Sequence, residues 1–579
     1  MNLEKGCGPV NDRPRAALGF SPARSVWVWW VKVAGAGAGR LYGLEALGLC
    51  SAMPETPLHA PAARVLARLS SSLLAMGLTA LLWTIGSLSP AGVEAQLLDD
   101  RLVPAGTVRL SGWPSFTAWD ERFGDDGRIL LGAGLSSPSA LDLFPGSADF
   151  LGEMRGLLGD PAYTPVTGAV DGRASHDVTR IEFGIHLGIT DWWTIGAMLP
   201  RIKNRTAIDL VFTPDTLAGD LGVSPGITDA GAVDAFLLDL STARADAGAR
   251  ADGLCAGADP SCASAQALAE NAARLSSGLT TLYTATPLFP LDASAAGTVL
   301  ASEIATLDTE LRAAGLNGID APFVLATERP TESALETFPV RHSPLGYDEP
   351  LRTRTSLWSV GDVELSTLVR LLRLGDRGAD VPPWSVDVLA GVLVRLGTGL
   401  GPDPDVPLSL GTGDGQTDVE VRTSAHATAG RTLSLRAGAL YGMQGSRLLA
   451  MRVGVADEIL VPVGRRAVYE WSPGSYLGLE VEPGLRLAPQ LTLSASYRLL
   501  QHDASVFTLS DGATPAPVGR GSSLHRVGGA LTYDTTAPQL DTRPLRFRLR
   551  VLRAIGGVRS PAATRVELSG ELFARIWGG

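Results

Sequence analysis

Residues able to do chemistry are few in this chain and widely separated. Histidine occurs at only seven of 579 positions. His186, His426 and His525 fall on separate predicted strands, where each reads as a polar lumen residue rather than a base. The glycine-rich stretch 411–418 lacks the Lys-Ser/Thr pair that a phosphate loop places on its ligand. Asp403, Asp405, Asp414 and Asp418 could offer oxygen ligands to Ca²⁺. Their spacing is not that of a calcium loop, and solvated loop acids are the simpler reading. Cys255 and Cys262 stand close enough for one small disulfide loop in an oxidising compartment, or for two free thiols. A zinc site would need two further ligands nearby, and none is present. The sequence therefore assigns no catalytic residue, metal or cofactor.

What the chain does offer is charge at alternate positions. Ile181, Phe183, Ile185, Leu187 and Ile189 alternate with Glu182, Gly184, His186 and Gly188. Val363, Leu365, Thr367, Val369 and Leu371 alternate with Glu364, Ser366 and Arg370, and the apolar face from Trp384 to Leu396 opposes Asp387 and Arg395. The same period recurs around Arg422, Arg436, Glu480, Glu482 and Arg498, and again where Leu545, Phe547, Leu549 and Val551 oppose Arg546, Arg548 and Arg550. A period of two is the signature of strands with one apolar and one polar face. Glu567 and Glu571 on the following strand are placed to neutralise that last arginine ladder.

Three features separate a membrane barrel from a secreted sandwich. The alternating runs are about 10–14 residues long, beyond the usual soluble strand. Short turns at Thr190-Asp191, Ala429-Gly430 and Pro489-Gln490 alternate with long connections. The polar face carries repeated charges, which a sandwich core would not tolerate but a lumen would. Composition agrees. Only 19% of residues are charged, glycine is found 67 times and the mean hydropathy is +0.15, so apolar residues are abundant yet dispersed in short pieces. A net charge of −11 argues against nucleic acid as a partner. The reading is an all-β protein: an antiparallel transmembrane β-barrel of about twelve strands, the first near 104–112, in the outer membrane of a Gram-negative cell.

Two regions depart from the alternation. Residues 205–345 contain Ala- and Leu-rich stretches at 228–250, 263–283 and 294–314 that predict helices, the last with Leu300, Ile304, Leu307 and Leu311 on one stripe. This insertion is either a cap over the pore and its natural gate, or a passive surface loop. Residues 114–175, rich in Gly, Pro and Asp, predict a second outer connection. At the N-terminus, Arg64 and Arg68 precede the apolar run Leu69–Leu88, and Val93-Glu94-Ala95 resembles a cleavage signal, so a mature chain would begin at Gln96. An uncleaved inner-membrane anchor is the other reading of that run. The expected division is an N-terminal extension (1–63) within which translation starts near Met53, a signal peptide (64–95), first strands with an outer loop (96–204), the helical insertion (205–345) and the remaining strands (346–579).

The segments Ser359-Val360-Gly361-Asp362-Val363-Glu364-Leu365, Val394-Arg395-Leu396-Gly397-Thr398-Gly399 and Gly411-Thr412-Gly413-Asp414-Gly415-Gln416-Thr417-Asp418 resemble motifs of a known family. It is the outer-membrane transporter family associated with the meta-cleavage pathway of phenol degradation. The strand pair around Thr190-Asp191-Trp192, ending in Leu199-Pro200, is also similar, and the likeness spans roughly 180–500. Here Leu396-Gly397-Thr398-Gly399 replaces the family's proline form, the insertion is foreign to the pattern, and Trp577 is followed by two glycines rather than standing last. The resemblance implies passive transport of small solutes. Inward leucines at Leu368, Leu372, Leu389, Leu393, Leu440 and Leu500 suit either a path for apolar molecules or packing against a plug. The expected partners are outer-membrane lipid, a small-molecule solute and the barrel-assembly machinery at insertion. The alternative is a structural barrel that displays its helical insertion for adhesion or assembly.

Overall fold

The computed structural model describes residues 101–577 except 216–218, 258, 376–382, 455–457, 510–519 and 537–543. The N-terminal extension, the signal segment and its cleavage site lie outside the described residues.

Strand formation follows the alternation. Twelve strands run β1 (Thr107–Trp119), β2 (Ala169–Thr190), β3 (Trp193–Thr213), β4 (Val363–Gly375), β5 (Trp384–Leu396) and β6 (Asp418–Ala429). They continue as β7 (Leu433–Gln444), β8 (Tyr476–Ala488), β9 (Leu491–His502), β10 (Ser522–Asp534), β11 (Leu545–Val558) and β12 (Thr564–Arg575). Each pairs antiparallel with the next in sequence. β12 returns to β1, with Val108 opposite Ala574 and Phe116 opposite Val566, so the sheet closes and has no free edge. The first strand therefore starts at Thr107 and runs to Trp119, later and longer than the sequence pattern suggests.

Burial is inverted relative to a soluble protein. Leu110, Phe116, Phe183, Ile185, Leu435 and Leu572 are exposed on the outer wall. Arg109, Arg180, Glu364, Glu420, Glu480 and Arg546 are buried inside. Only a lipid surround makes that arrangement favourable, because hydrocarbon accepts the apolar belt and closure satisfies every ladder hydrogen bond. Among the described residues no helix is long and apolar enough to cross a membrane.

Connections sort by end. At one end are 191–192, 376–383, 430–432, 489–490 and 535–544, together with the start of β1 and the end of β12. At the other are 120–168, 214–362, 397–417, 445–475, 503–521 and the short 559–563. By the general rule for such barrels, the first end is periplasmic and the second extracellular.

β2 and β3 outrun their neighbours. The Trp119–His176 pair is the last between β1 and β2, yet β2 and β3 stay paired to Ala169–Thr213. This projecting hairpin carries a helical cap. The cap's main helices are α2 (Ala230–Ala256), α3 (Cys262–Ala285), α4 (Ala295–Ala313) and α5 (Glu332–Arg341), joined by α1 (Ser147–Leu158) from the first outer connection. Asp229, Ser294 and Thr331 cap α2, α4 and α5 through their side chains. Leu300, Ile304, Leu307 and Leu311 face one core with Phe236, Leu240, Leu275 and Leu279, and that core reaches Val170, Ala174, Ile208 and Leu210 on the hairpin. Cys255 and Cys262 are bonded where α2 meets α3. α1 was not foreseen: the Gly- and Pro-rich surroundings suggested loop, although Phe150, Met154 and Leu157 form a helical stripe that is fully packed here. Strand pairing also persists to Thr213, past residue 205, because Ala207, Ile208 and Leu210 are covered by the cap rather than by lipid.

Two outcomes test this architecture. Val388→Arg should destabilise the folded barrel by about 2–4 kcal/mol, because its side chain meets lipid well inside β5, whereas Ser434→Arg, facing the interior, should be mild. Urea titrations in lipid vesicles check this, and equal tolerance would mean the inside and outside are misassigned. In the cap, burial pushes the His342 imidazole down to about 4. A depressed histidine stays neutral when folded, so stability is full above about pH 6.5 and falls as pH drops towards about 4, where the unfolded chain alone takes the proton. The loss is at most about 3 kcal/mol. Hydrogen exchange of α2–α4 amides should show acid loosening, and His342→Gln should flatten it.

Candidate functional site

The inner wall divides into three layers, starting with a charged belt at mid-height. Arg180 pairs with Glu182 and lies 3.5 Å from Glu364, which takes Arg395 at 3.3 Å. Arg395 also reaches Asp418 at 3.1 Å, and Arg422 pairs with Glu420. On the opposite wall, Arg498 holds Glu480 at 2.7 Å, while Arg546 lies 3.4 Å from Glu571 and Arg565 2.8 Å from Glu567. Arg548 and Arg550 of β11 bridge the lumen to Glu482 and Glu480 of β8, three strands away. Arg550 is also 3.7 Å from Glu567. These side chains are almost wholly buried, so the belt fills the lumen where it lies. Burying one ion without its partner would cost several kcal/mol, which is why the arginines and carboxylates interleave.

Above the belt is a cavity of about 420 Å³. Leu440, Tyr476 and Leu500 line it from β7, β8 and β9, with Arg395 and Arg498 as its floor. Gly442 stands directly opposite Tyr476, where any side chain would collide with the phenol ring, so glycine lets the ring lie across the wall. The Tyr476 hydroxyl donates to Glu420 at 2.7 Å. The roof is a small sheet of outer-loop strands, Arg447–Arg452, Arg466–Ser472 and Val506–Leu509, contributing Leu449, Met451, Trp471 and Phe507. Trp471 and Phe507 stack with ring centroids 6.1 Å apart.

Below the belt, at the short-turn end, is a vestibule of about 550 Å³. Arg370, Asp387, His426 and Arg436 line it, with Leu389 among them. Arg370 lies 3.2 Å from Asp387. The segment before β1 crosses this mouth: Val103 N donates to Thr194 Oγ1 at 2.9 Å, and Arg101 reaches Asp534 on the far wall at 3.0 Å.

Most of the charged or histidine positions singled out from the sequence sit on the inner face of their strands, but they do not form one site. Glu182, Glu364, Arg395, Arg422, Arg498, Arg548 and Arg550 are in the belt. Arg546 joins it at its lower edge, and Arg370, Asp387 and Arg436 belong to the vestibule. His186 lies flat against Gly196 near Arg109, in a narrow gap between layers. Two expectations are corrected. A bulge between Arg370 and Leu372 puts Leu372 opposite Val388 and turns it outward, 45% exposed. His525 is also on the outer face, hydrogen-bonded to the Tyr497 hydroxyl at 2.8 Å. No residue of the helical cap lines the upper cavity; from the outer connections Pro402, Gly411, Leu449, Met451, Trp471 and Phe507 do. Arg109, Arg180 and Arg565 were missed, although each continues the inward register of a recognised strand, and Arg526 was missed beside His525, from which a register irregularity separates it. Trp471 and Phe507 lie in outer loops, where alternation gives no signal.

The glycine-rich segments form a clasp at the rim of the upper cavity. Asp362 accepts the Gly399 N–H at 2.7 Å and the Asp414 N–H at 3.1 Å. Gly413 packs so closely on this carboxylate that a Cβ would overlap it. Thr398 donates to Gly361 O at 2.8 Å and Thr412 to Val360 O at 2.9 Å, tying both loops to the strand entry. Asp403 and Asp405 are elsewhere, with Asp405 held by Arg452 and Arg466. Among the described residues no group of three possible ligands is close enough to hold a metal ion.

A closed twelve-stranded meander with lipid outside and charge inside is an integral outer-membrane β-barrel. No family model and no curated protein matches the chain. Among solved structures, the chain is similar to an outer membrane channel from Pseudomonas putida F1, at 9% identity and a TM-score of 0.38, over 83% of this chain and 100% of that one. It is also similar to the Ralstonia pickettii toluene transporter TbuX, at 9% identity and a TM-score of 0.24, over 82% and 90%. The transport unit of the autotransporter AIDA-I from Escherichia coli matches at 5% identity and a TM-score of 0.29, over 83% and 93%. Likeness this distant carries no argument about what this barrel does.

The clasp makes its own prediction. Asp362→Ala strands two amide donors, each costing about 1–3 kcal/mol if left unmet. Amide exchange at Gly399 and Asp414 should accelerate strongly while the β5–β9 amides stay protected. Unchanged exchange at those two amides would refute the clasp.

Proposed function

We propose that the barrel is a passive channel for small solutes, hydrophobic ones included, and that its own charged belt closes it. The observation that supports this is the pair of cavities of about 420 and 550 Å³ on the two sides of the belt. The upper one offers leucines and aromatic rings to a weakly polar molecule arriving from outside, with Arg395 and Arg498 beneath them. A barrel serving only as an anchor has no use for that pocket. The motif resemblance to the phenol-degradation transporter family supports the same class of solute, aromatic or comparably weakly polar. For passage, belt side chains must exchange partners and swing aside, which the ladder of alternating arginines and carboxylates permits without leaving any of them unpaired. Arg550, for example, already contacts Glu480, Glu482 and Glu567.

A display role is the second reading, favoured by the cap's large helical core, no residue of which lines the upper cavity. One measurement divides the two. In vesicles with a lipopolysaccharide outer leaflet, the double variant Glu480→Ala, Arg498→Ala removes a belt pair together, sparing either partner from being left alone. It should raise uptake of benzyl alcohol several-fold over the unaltered barrel. If uptake by both proteins equals that of protein-free vesicles, for small neutral and small charged solutes alike, transport is abandoned and display stands.

A further inference from the structure

We infer that the vestibule at the short-turn end is a binding site for a small organic anion, a carboxylate in the first instance. The charge balance of its wall is the starting point. Three acids line it, and each is already engaged. Asp387 lies 3.2 Å from Arg370 and 3.6 Å from Arg373, Glu482 is taken by Arg548 and Arg550, and Asp534 by Arg101. Three lining arginines are left over: Arg436, Arg431 and Arg486 form no ion pair among the described residues. The surplus is therefore positive and faces open volume.

The leftover cations are arranged in depth. Arg431 sits in the β6–β7 turn, and the Arg486 N–H of β8 donates to Thr432 O of that turn at 2.7 Å, so these two stand together at the rim. Further in, Arg436 is paired in register with His426 on β6 and Glu482 on β8. The hydroxyls of Ser434 and Thr492 line the wall between. A planar guanidinium at the base, two at the entrance and hydroxyl donors along the side are the donor set that a carboxylate fills, with bidentate geometry available at Arg436. A volume of about 550 Å³ admits an aromatic or short aliphatic acid whole. The site stands whether or not solute crosses the belt, since it opens at the periplasmic mouth.

The test is binding, separate from flux. With the full chain in nanodiscs, 4-fluorobenzoate should broaden in ¹⁹F spectra and titrate to saturation, and Arg436→Gln should weaken it about tenfold through loss of charge-assisted hydrogen bonds. Arg436→Lys should recover part of the loss. 4-Fluorobenzyl alcohol, the neutral counterpart, should be indifferent to both changes. Arg486→Gln, at the exposed rim, gives the same readout if the deeper variant does not fold, with a smaller but measurable weakening. Equal 4-fluorobenzoate affinity in the parent and in the folded variants, or no binding by the parent, overturns the site. Loss of flux with binding retained would instead count against the channel reading alone.

Discussion

A charge on the inner wall of this barrel has little water to hydrate it, and the belt answers by giving each guanidinium a carboxylate within reach. Because lipid claims the outer face, every second residue must point inward, and many of these are Arg or Glu. Twelve strands enclose a lumen narrow enough for Arg548 and Arg550 to cross it. The pairing therefore runs both along the wall, as between Arg546 and Glu571, and across the lumen, and together these contacts divide the interior into an upper pocket and a lower vestibule. The apolar roof residues and the unpaired lower arginines are what remains once the belt has taken its partners.

Much of this was legible because period two survives in the sequence wherever one face meets lipid. Ile181 to Ile189, Val386 to Val394 and Phe547 to Val551 announce their strands, and the residues between them announce the wall. The helices of the cap were equally plain from Leu300, Ile304, Leu307 and Leu311. Legibility fails where a single residue breaks the period. The bulge after Arg370 reverses Leu372, and nothing in the local composition marks it. It fails again where a face is covered by protein instead of lipid, as at Ala207-Ile208, where the inside–outside distinction vanishes.

Which charges meet was not legible, since partners such as Arg548 and Glu482 lie 66 positions apart and on non-adjacent strands. Nor was the cap's placement. Its core runs on into Val170, Ala174, Ile208 and Leu210 of the projecting hairpin and meets Leu460 of an outer loop, contacts that no local pattern announces. The motif that carried the family resemblance belongs to the rim. Asp362 and the Gly399 and Gly413 loops hold one another by backbone hydrogen bonds and close packing, a constraint on geometry that does not specify any solute.

The meeting of β1 with β12 also bears on how the chain reaches this form. Ten of the twelve strands find both neighbours close in sequence or across one connection, so hairpins can assemble as they emerge. The seam between Thr107 and Arg575 joins the two ends of the ordered wall, and until β12 arrives, β1 presents a row of unmet amides and carbonyls beside an apolar face. Such an intermediate is adhesive in water and incomplete in lipid. Folding is thus gated by the last strand made, and a sheet that ends with no edges spends its assembly with two.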